Sequence, residues 1–242
     1  MATKDPDLEV YPNSPLTDVV CEIRFPGELE VECNRHVFWD KIRTDYPSIL
    51  VPYAEPGKSP ALSHYRFRHA DGNRHVSVAL NSLAFSETKY SGHVSYIEEF
   101  ARIADIFHAC FSKIDSVSRI GWRYINVIPY TRESGQVPVS QFLNASVLLA
   151  EETLKAPKVF DIRIESAIDE GTVIVRLATI TRKDDTPSQE AILLDIDFGY
   201  EGKSLHFRDY KKCIDRARRH NRGLFEKLIT DRYRQYLRGE TL

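Results

Sequence analysis

Arg119-Ile120-Gly121-Trp122-Arg123-Tyr124-Ile125-Asn126-Val127-Ile128-Pro129-Tyr130 decides the fold. The stretch is rich in β-branched and aromatic residues and is apolar on both faces over much of its length, so it reads as a strand at the centre of a sheet. An earlier stretch opens in the same way: Cys21-Glu22-Ile23-Arg24-Phe25 against Ile120-Gly121-Trp122-Arg123-Tyr124. From Thr17 to Phe25 the apolar residues Val19, Cys21, Ile23 and Phe25 alternate with Asp18, Glu22 and Arg24, the pattern of a half-buried strand.

Working outward from these two strands, each half of the chain reads strand, helix, two or three strands, helix. In the first half Asn34 is the expected cap of a helix running through Tyr46, and Pro47 ends it. Pro52 to Pro60 is loop. Tyr65 to Leu80 is a hairpin around Asp71-Gly72, with Phe67 opposite Val76 and Tyr65 opposite Val78. Ser82 to Tyr90 continues as strand. Tyr96 to Ile114 carries apolar residues at helical spacing. In the second half Val139 to Glu152 reads as helix. Phe160 to Ile168 turns at Asp169-Glu170-Gly171 into Thr172 to Thr181, and a polar turn over Asp184 to Ser188 leads to a last strand, Ala191 to Tyr200. Asp209 to Arg238 reads as one long helix.

The expected fold class is therefore α+β: two similar strand-helix-strands-helix halves forming an antiparallel, curved sheet with helices mainly on one face. Residues 1–14 read as a flexible N-terminal arm, 15–116 as the first half and 117–242 as the second, with the two halves an internal repeat in which Arg24 matches Arg123. In element order alone this resembles the saddle of the TATA-binding fold.

Composition narrows the function. The chain has 242 residues, 42% hydrophobic and 28% charged, ordinary globular usage. Thirty-three basic residues against 35 acidic ones give a net charge of −2, so no global field draws it to nucleic acid or anionic lipid. No apolar run approaches the roughly 18 residues that span a bilayer, and the N-terminus lacks an apolar leader, so the expected location is cytoplasmic, with no membrane partner. The four cysteines (Cys21, Cys33, Cys110, Cys213) form no C-x-x-C pair, which argues against a disulfide framework and a zinc site. His64, His69 and His75 diverge on the hairpin and make a poor ligand set, so no metal is expected. No G-x-S-x-G, P-loop or G-x-G-x-x-G pattern is present, and no cofactor is expected.

Three constellations remain. Asp195 and Asp197 place two carboxylates on one strand face, the arrangement magnesium-dependent nucleases use, although outward acids are commonly mere surface. Residues 209–238 carry ten Lys/Arg against four acids, a net +6 on a body of net −8, a stripe suited to an acidic partner or to phosphates, or else a solvated face. Asn221 sits on the apolar stripe between Ala217 and Leu224, flanked by His220 and Arg222. Either it caps the backbone of a neighbouring strand, or it lines a polar pocket with Arg123, Tyr124 and Asn126.

These residues carry a resemblance. Pro15-Leu16-x-x-Val19-x-x-Glu22-Ile23-Arg24-Phe25, Gly121-Trp122-Arg123-Tyr124-Ile125-Asn126, and His220 with Leu224-Phe225-Glu226 and Ile229-Thr230 are similar to a family of sporadically distributed, uncharacterised bacterial proteins of about this length. Trp122 stands where that pattern leads one to expect a smaller aliphatic residue. The resemblance implies an accessory bacterial system and carries over no activity and no catalytic residue. The favoured expectation is a non-enzymatic binding module for a protein partner, with nucleic acid a second class of partner through the basic 209–238 helix, and with self-association left open. The rival is a small nuclease or hydrolase using Asp195/Asp197 with magnesium or a metal-free His220/Arg123 site.

Overall fold

Alternation along the chain builds one nine-stranded antiparallel, curved sheet, with the helices on one of its faces. The computed structural model describes residues 10–50, 65–90, 92–144, 157–168, 171–182, 189–202 and 205–241. Two strands lie at the middle. Leu16–Arg24 (β1) runs antiparallel to Arg119–Pro129 (β6), with Glu22 opposite Gly121 and Arg24 opposite Arg119.

Outward from β1 come Ser82–Glu87 (β5), Arg74–Ala79 (β4), Tyr65–Arg68 (β3) and the short Ser48–Leu50 (β2). Outward from β6 come Gln189–Glu201 (β9), Gly171–Arg182 (β8) and Asp161–Ile168 (β7). In each half the last strand returns beside the first, so the two halves share one layout. The hairpin register is the expected one, with Phe67 opposite Val76 and Tyr65 opposite Val78.

The helices are Leu29–Ile42 (α1), His93–Cys110 (α2), Val139–Phe142 (α3), Tyr210–Leu228 (α4) and Asp231–Leu237 (α5). Their apolar stripes meet the inward residues of the sheet, among them Cys21, Phe85, Trp122 and Phe198, in a single core. Among the described residues the opposite face of the sheet bears no helix. It is covered by charged side chains from β1, β6, β8 and β9, described below.

Several helix ends differ from expectation. The α1 helix starts a turn and a half before Asn34, because the Glu28 carboxylate accepts the Glu30 N–H as its cap. Asn34 instead sits at a kink, with φ −118° and ψ 17°. The long C-terminal helix is two helices. Ile229 is extended and bridges to Leu143, and the Thr230 hydroxyl, capping the Tyr233 N–H, starts α5. The expected helix over Val139–Glu152 is cut to the single turn of α3, because Leu143 is extended and bridges Ile229, and residues 145–152 lie outside the described residues. So do the Pro52–Pro60 loop, His64, the Asp169-Glu170 turn and the Asp184–Ser188 turn.

The described end of the N-terminal arm is not loose. Tyr11 is buried, with its hydroxyl donating to Glu226, and Asn13 bonds to the carbonyls of Tyr236 and Leu237. Burying one aromatic ring and closing three hydrogen bonds outweighs the freedom of a short polar segment. Among the described residues no helix is long and apolar enough to cross a membrane.

Candidate functional site

The helix-free face of the sheet is organised by Arg119. Its guanidinium lies flat against the strands, donating to Asp197 at 2.7 Å and to Glu22 at 3.3 Å, with Glu201 at 3.4 Å. Gly121 and Gly199, opposite each other in the β6–β9 register, make room for it. A Cβ at Gly199 would come within 2.6 Å of the guanidinium, and one at Gly121 closer still. Beside it Arg123 holds Asp195 bidentately at 2.8 and 2.6 Å. Two strands out, Arg176 holds Asp161 in the same way.

This web disposes of Asp195 and Asp197 as a free acid pair. Each carboxylate is engaged by an arginine, which occupies oxygens that a hydrated cation would need. Among the described residues no group of three or more His, Cys, Asp or Glu is placed to hold a metal ion.

The expected pocket of Arg123, Tyr124, Asn126, His220, Asn221 and Arg222 does not form as one site. Successive residues of a strand point to opposite faces, so Arg123 faces the ion-pair web while Trp122 and Tyr124 face the helices. Hence the sheet itself separates Arg123 from His220, and a metal-free His220/Arg123 centre has no geometry. Tyr124 is buried, stands edge-on to Trp122 and accepts a hydrogen bond from Tyr90. Burial pushes its hydroxyl above the usual range. Asn126 is buried and donates to Leu194 O at 3.0 Å, across its own register pair. Arg222 turns along α4 toward the N-terminal arm, 2.9 Å from Glu226 and over the Tyr11 ring.

Asn221 does what the strand-capping alternative foresaw. It is fully buried, and its amide donates to Trp122 O at 2.6 Å and Ile196 O at 3.1 Å, pinning α4 to the seam between β6 and β9. Its partners are backbone carbonyls, not the side chains of Arg123 or Asn126.

His220, one residue earlier, lies on the solvent side of α4 and at the wall of a groove. Its ring stacks on Phe198 at 4.7 Å and 12°. The groove, about 440 Å³, runs between α4 and the outer strands of the second half. Ile168, Val173, Phe198 and Leu224 make it apolar, while Arg219, His220 and Lys227 set a basic rim. Gly223 completes the helix wall, and a Cβ there would meet nothing within 4 Å. A glycine inside a helix costs roughly 1 kcal/mol relative to alanine, so the open space over the groove is kept at the expense of helix stability.

Along the same exposed side of α4 run Lys212, Arg216, the adjacent pair Arg219 and His220, Gly223 and Lys227, with steps of three or four residues from one turn to the next. The basic charge read from the sequence is thus a ridge that leads into the groove. Asp215 interrupts it, pairing with Arg219 at 2.8 Å. A second hollow, about 400 Å³, lies at Tyr130, Arg132 and Gln141, where Arg132 is already held bidentately by Glu190.

Sequence reasoning found His220 and the basic stripe but not the groove, nor Arg119. One signal was available for the groove: Gly223 at the helical spacing of the cationic residues. Compared with known proteins, the chain matches no family model and no curated protein.

Proposed function

We propose that this protein is a binding module whose working surface is the exposed side of α4 and the groove beside it. The occupant is an acidic protein segment carrying one large apolar side chain. The observation that carries this reading is the juxtaposition of an apolar groove, a basic rim and a glycine that leaves the groove open. Peptide recognition of this type combines an anchor in a pocket with charges that set orientation and encounter rate. An acidic segment suits the ridge better than a nucleic acid does. Asp215 breaks the run of cations that a phosphate backbone would track, whereas a short segment needs only the apolar groove and its rim of Arg219, His220 and Lys227.

The test is fluorescence anisotropy with a labelled peptide of acidic residues around one phenylalanine. The expected result is saturable binding that is lost when the peptide's phenylalanine is alanine and weakened about tenfold by Lys227→Glu. Binding that ignores the phenylalanine, or preference for a single-stranded DNA oligonucleotide over the peptide, overturns the reading, as does no binding at all.

A further inference from the structure

We infer that two copies of this chain pair through β7, in one defined register, so that the sheet continues across a two-fold axis. The inference is independent of the groove reading. It starts from the sheet order, in which β7 is terminal and, among the described residues, nothing pairs with its outer edge. The strand is eight residues long, exposed over most of its length, and Ile164 is 41% exposed. An unpaired edge of that kind is a template for another strand unless something blunts it.

The backbone restricts how a second strand can add. In an antiparallel ladder, alternate residues direct their N–H and C=O groups to one neighbour, and the residues between them direct theirs to the other side. Phe160 O accepts the Thr179 N–H at 2.9 Å, which sets the phase of the β7–β8 ladder. The even-numbered residues of β7 therefore bond to β8, and Asp161, Arg163, Glu165 and Ala167 offer their backbone groups outward. A second β7 must pair odd residues with odd residues, so an antiparallel two-fold falls on a single residue position.

Side-chain charge then selects the position. A two-fold at Arg163 or at Glu165 sets like charges face to face, which is unfavourable for directly opposed residues. A two-fold at Ile162 pairs Arg163 with Asp161, already bidentate to Arg176, and runs Glu165 against Val159 beyond the end of the strand. A two-fold at Ile164 sets Arg163 opposite Glu165 of the second copy twice over, with Asp161 opposite Ala167 at the ends. It also brings the two Ile164 side chains together in the close, non-hydrogen-bonded pairing, on the face where Val175 already neighbours Ile164. Within one copy Arg163 and Glu165 are 2.8 Å apart, so four charges alternate around the axis. This contact is isologous and closes on itself, giving a dimer and not a fibre.

Sedimentation velocity across a dilution series tests this on the full chain. The expected species has twice the 27.9 kDa chain mass. Ile164→Lys, which opposes two cations on the axis, and Arg163→Glu, which opposes carboxylates, should each give monomer with unchanged circular dichroism. The double exchange Arg163→Glu with Glu165→Arg restores the complementary pairs and should restore the dimer. A wild-type monomer at every concentration overturns the proposal. So does a dimer that survives Ile164→Lys, or a double exchange that stays monomeric while the wild type is dimeric.

Discussion

β3 and β7 stand at matching places, each the third strand out from its central strand, yet their helix-side residues meet different surroundings. In the first half α1 lies over the outer strands. Phe38 and Trp39 pack on Phe67, which is 2% exposed, and Arg35 sits over the Tyr65 ring at 3.6 Å. In the second half α4 covers β6 and β9, and Ile164, a helix-side residue in the middle of β7, is 41% exposed. One layout of strands thus yields a closed half and, among the described residues, an open one. The groove lies where the cover stops.

The halves are alike at their inner seams, where each is pinned by one polar side chain from a helix. The Tyr96 hydroxyl of α2 accepts the Cys21 N–H and donates to Phe85 O at 2.7 Å, with Val19 O at 3.3 Å. Asn221 of α4 serves the β6–β9 seam, and its own Oδ1 is buried without a hydrogen bond. Burial drives the Tyr96 hydroxyl well above its usual range, so it stays protonated and keeps its donor.

The sharpest way to break the comparison between closed and open halves is a pair of truncations. Phe67→Ala empties a buried site and should destabilise by about 3–5 kcal/mol, whereas Ile164→Ala should cost under about 1 kcal/mol. Equal losses in denaturant unfolding would show that the outer strands are equally buried. Next comes the pair of pins. Asn221→Leu leaves two carbonyls without their amide and should cost about 1–3 kcal/mol. Tyr96→Phe should cost more, because three backbone groups depend on one hydroxyl. The reverse order would mean that Asn221 holds more than the two carbonyls it reaches.

The smallest effect belongs to the hairpin turn of the closed half. Burial works against the Asp71 carboxylate, but the Asn73 N–H and the Arg74 guanidinium outweigh it and hold its pKa at about 2, below its ordinary 3.8. A depressed folded-state value contributes stability above pH 3.8, lost as pH falls toward about 2. Asp71→Asn should flatten that limb of an acid titration, and only slightly, because the side chain is one-third exposed and screened by water. A limb unchanged in the variant would assign the loss to other carboxylates.

Much of the architecture was legible. Period-two alternation in β1 and β9 identified those strands and their inward faces, the two-sided apolar run of β6 placed it at the centre, and Asp71-Gly72 fixed a register. Asn221 was legible too, because an amide on an apolar helix stripe has to find buried partners. The failures were those of distance along the chain. Nothing local tells that Arg123 meets Asp195 across the sheet, or that Gly121 and Gly199 lie side by side to admit Arg119. The break before α5 had a signal in Thr230-Asp231, a cap followed by an acid in the first turn, but the continuing apolar spacing masked it. The groove stayed hidden because its walls come from α4 and from β7, β8 and β9, which no short window of sequence spans.

Gly223 gives the most direct test of the groove as a binding site. Leucine at this position fills the groove, yet it is a better helix former than glycine by nearly 1 kcal/mol and has room for its Cβ. Anisotropy with the acidic phenylalanine peptide, run beside a thermal melt of Gly223→Leu, separates binding from folding. The account predicts an affinity at least about tenfold weaker with a melting temperature equal to or above that of the wild type. An unchanged affinity in a variant that melts normally would contradict it.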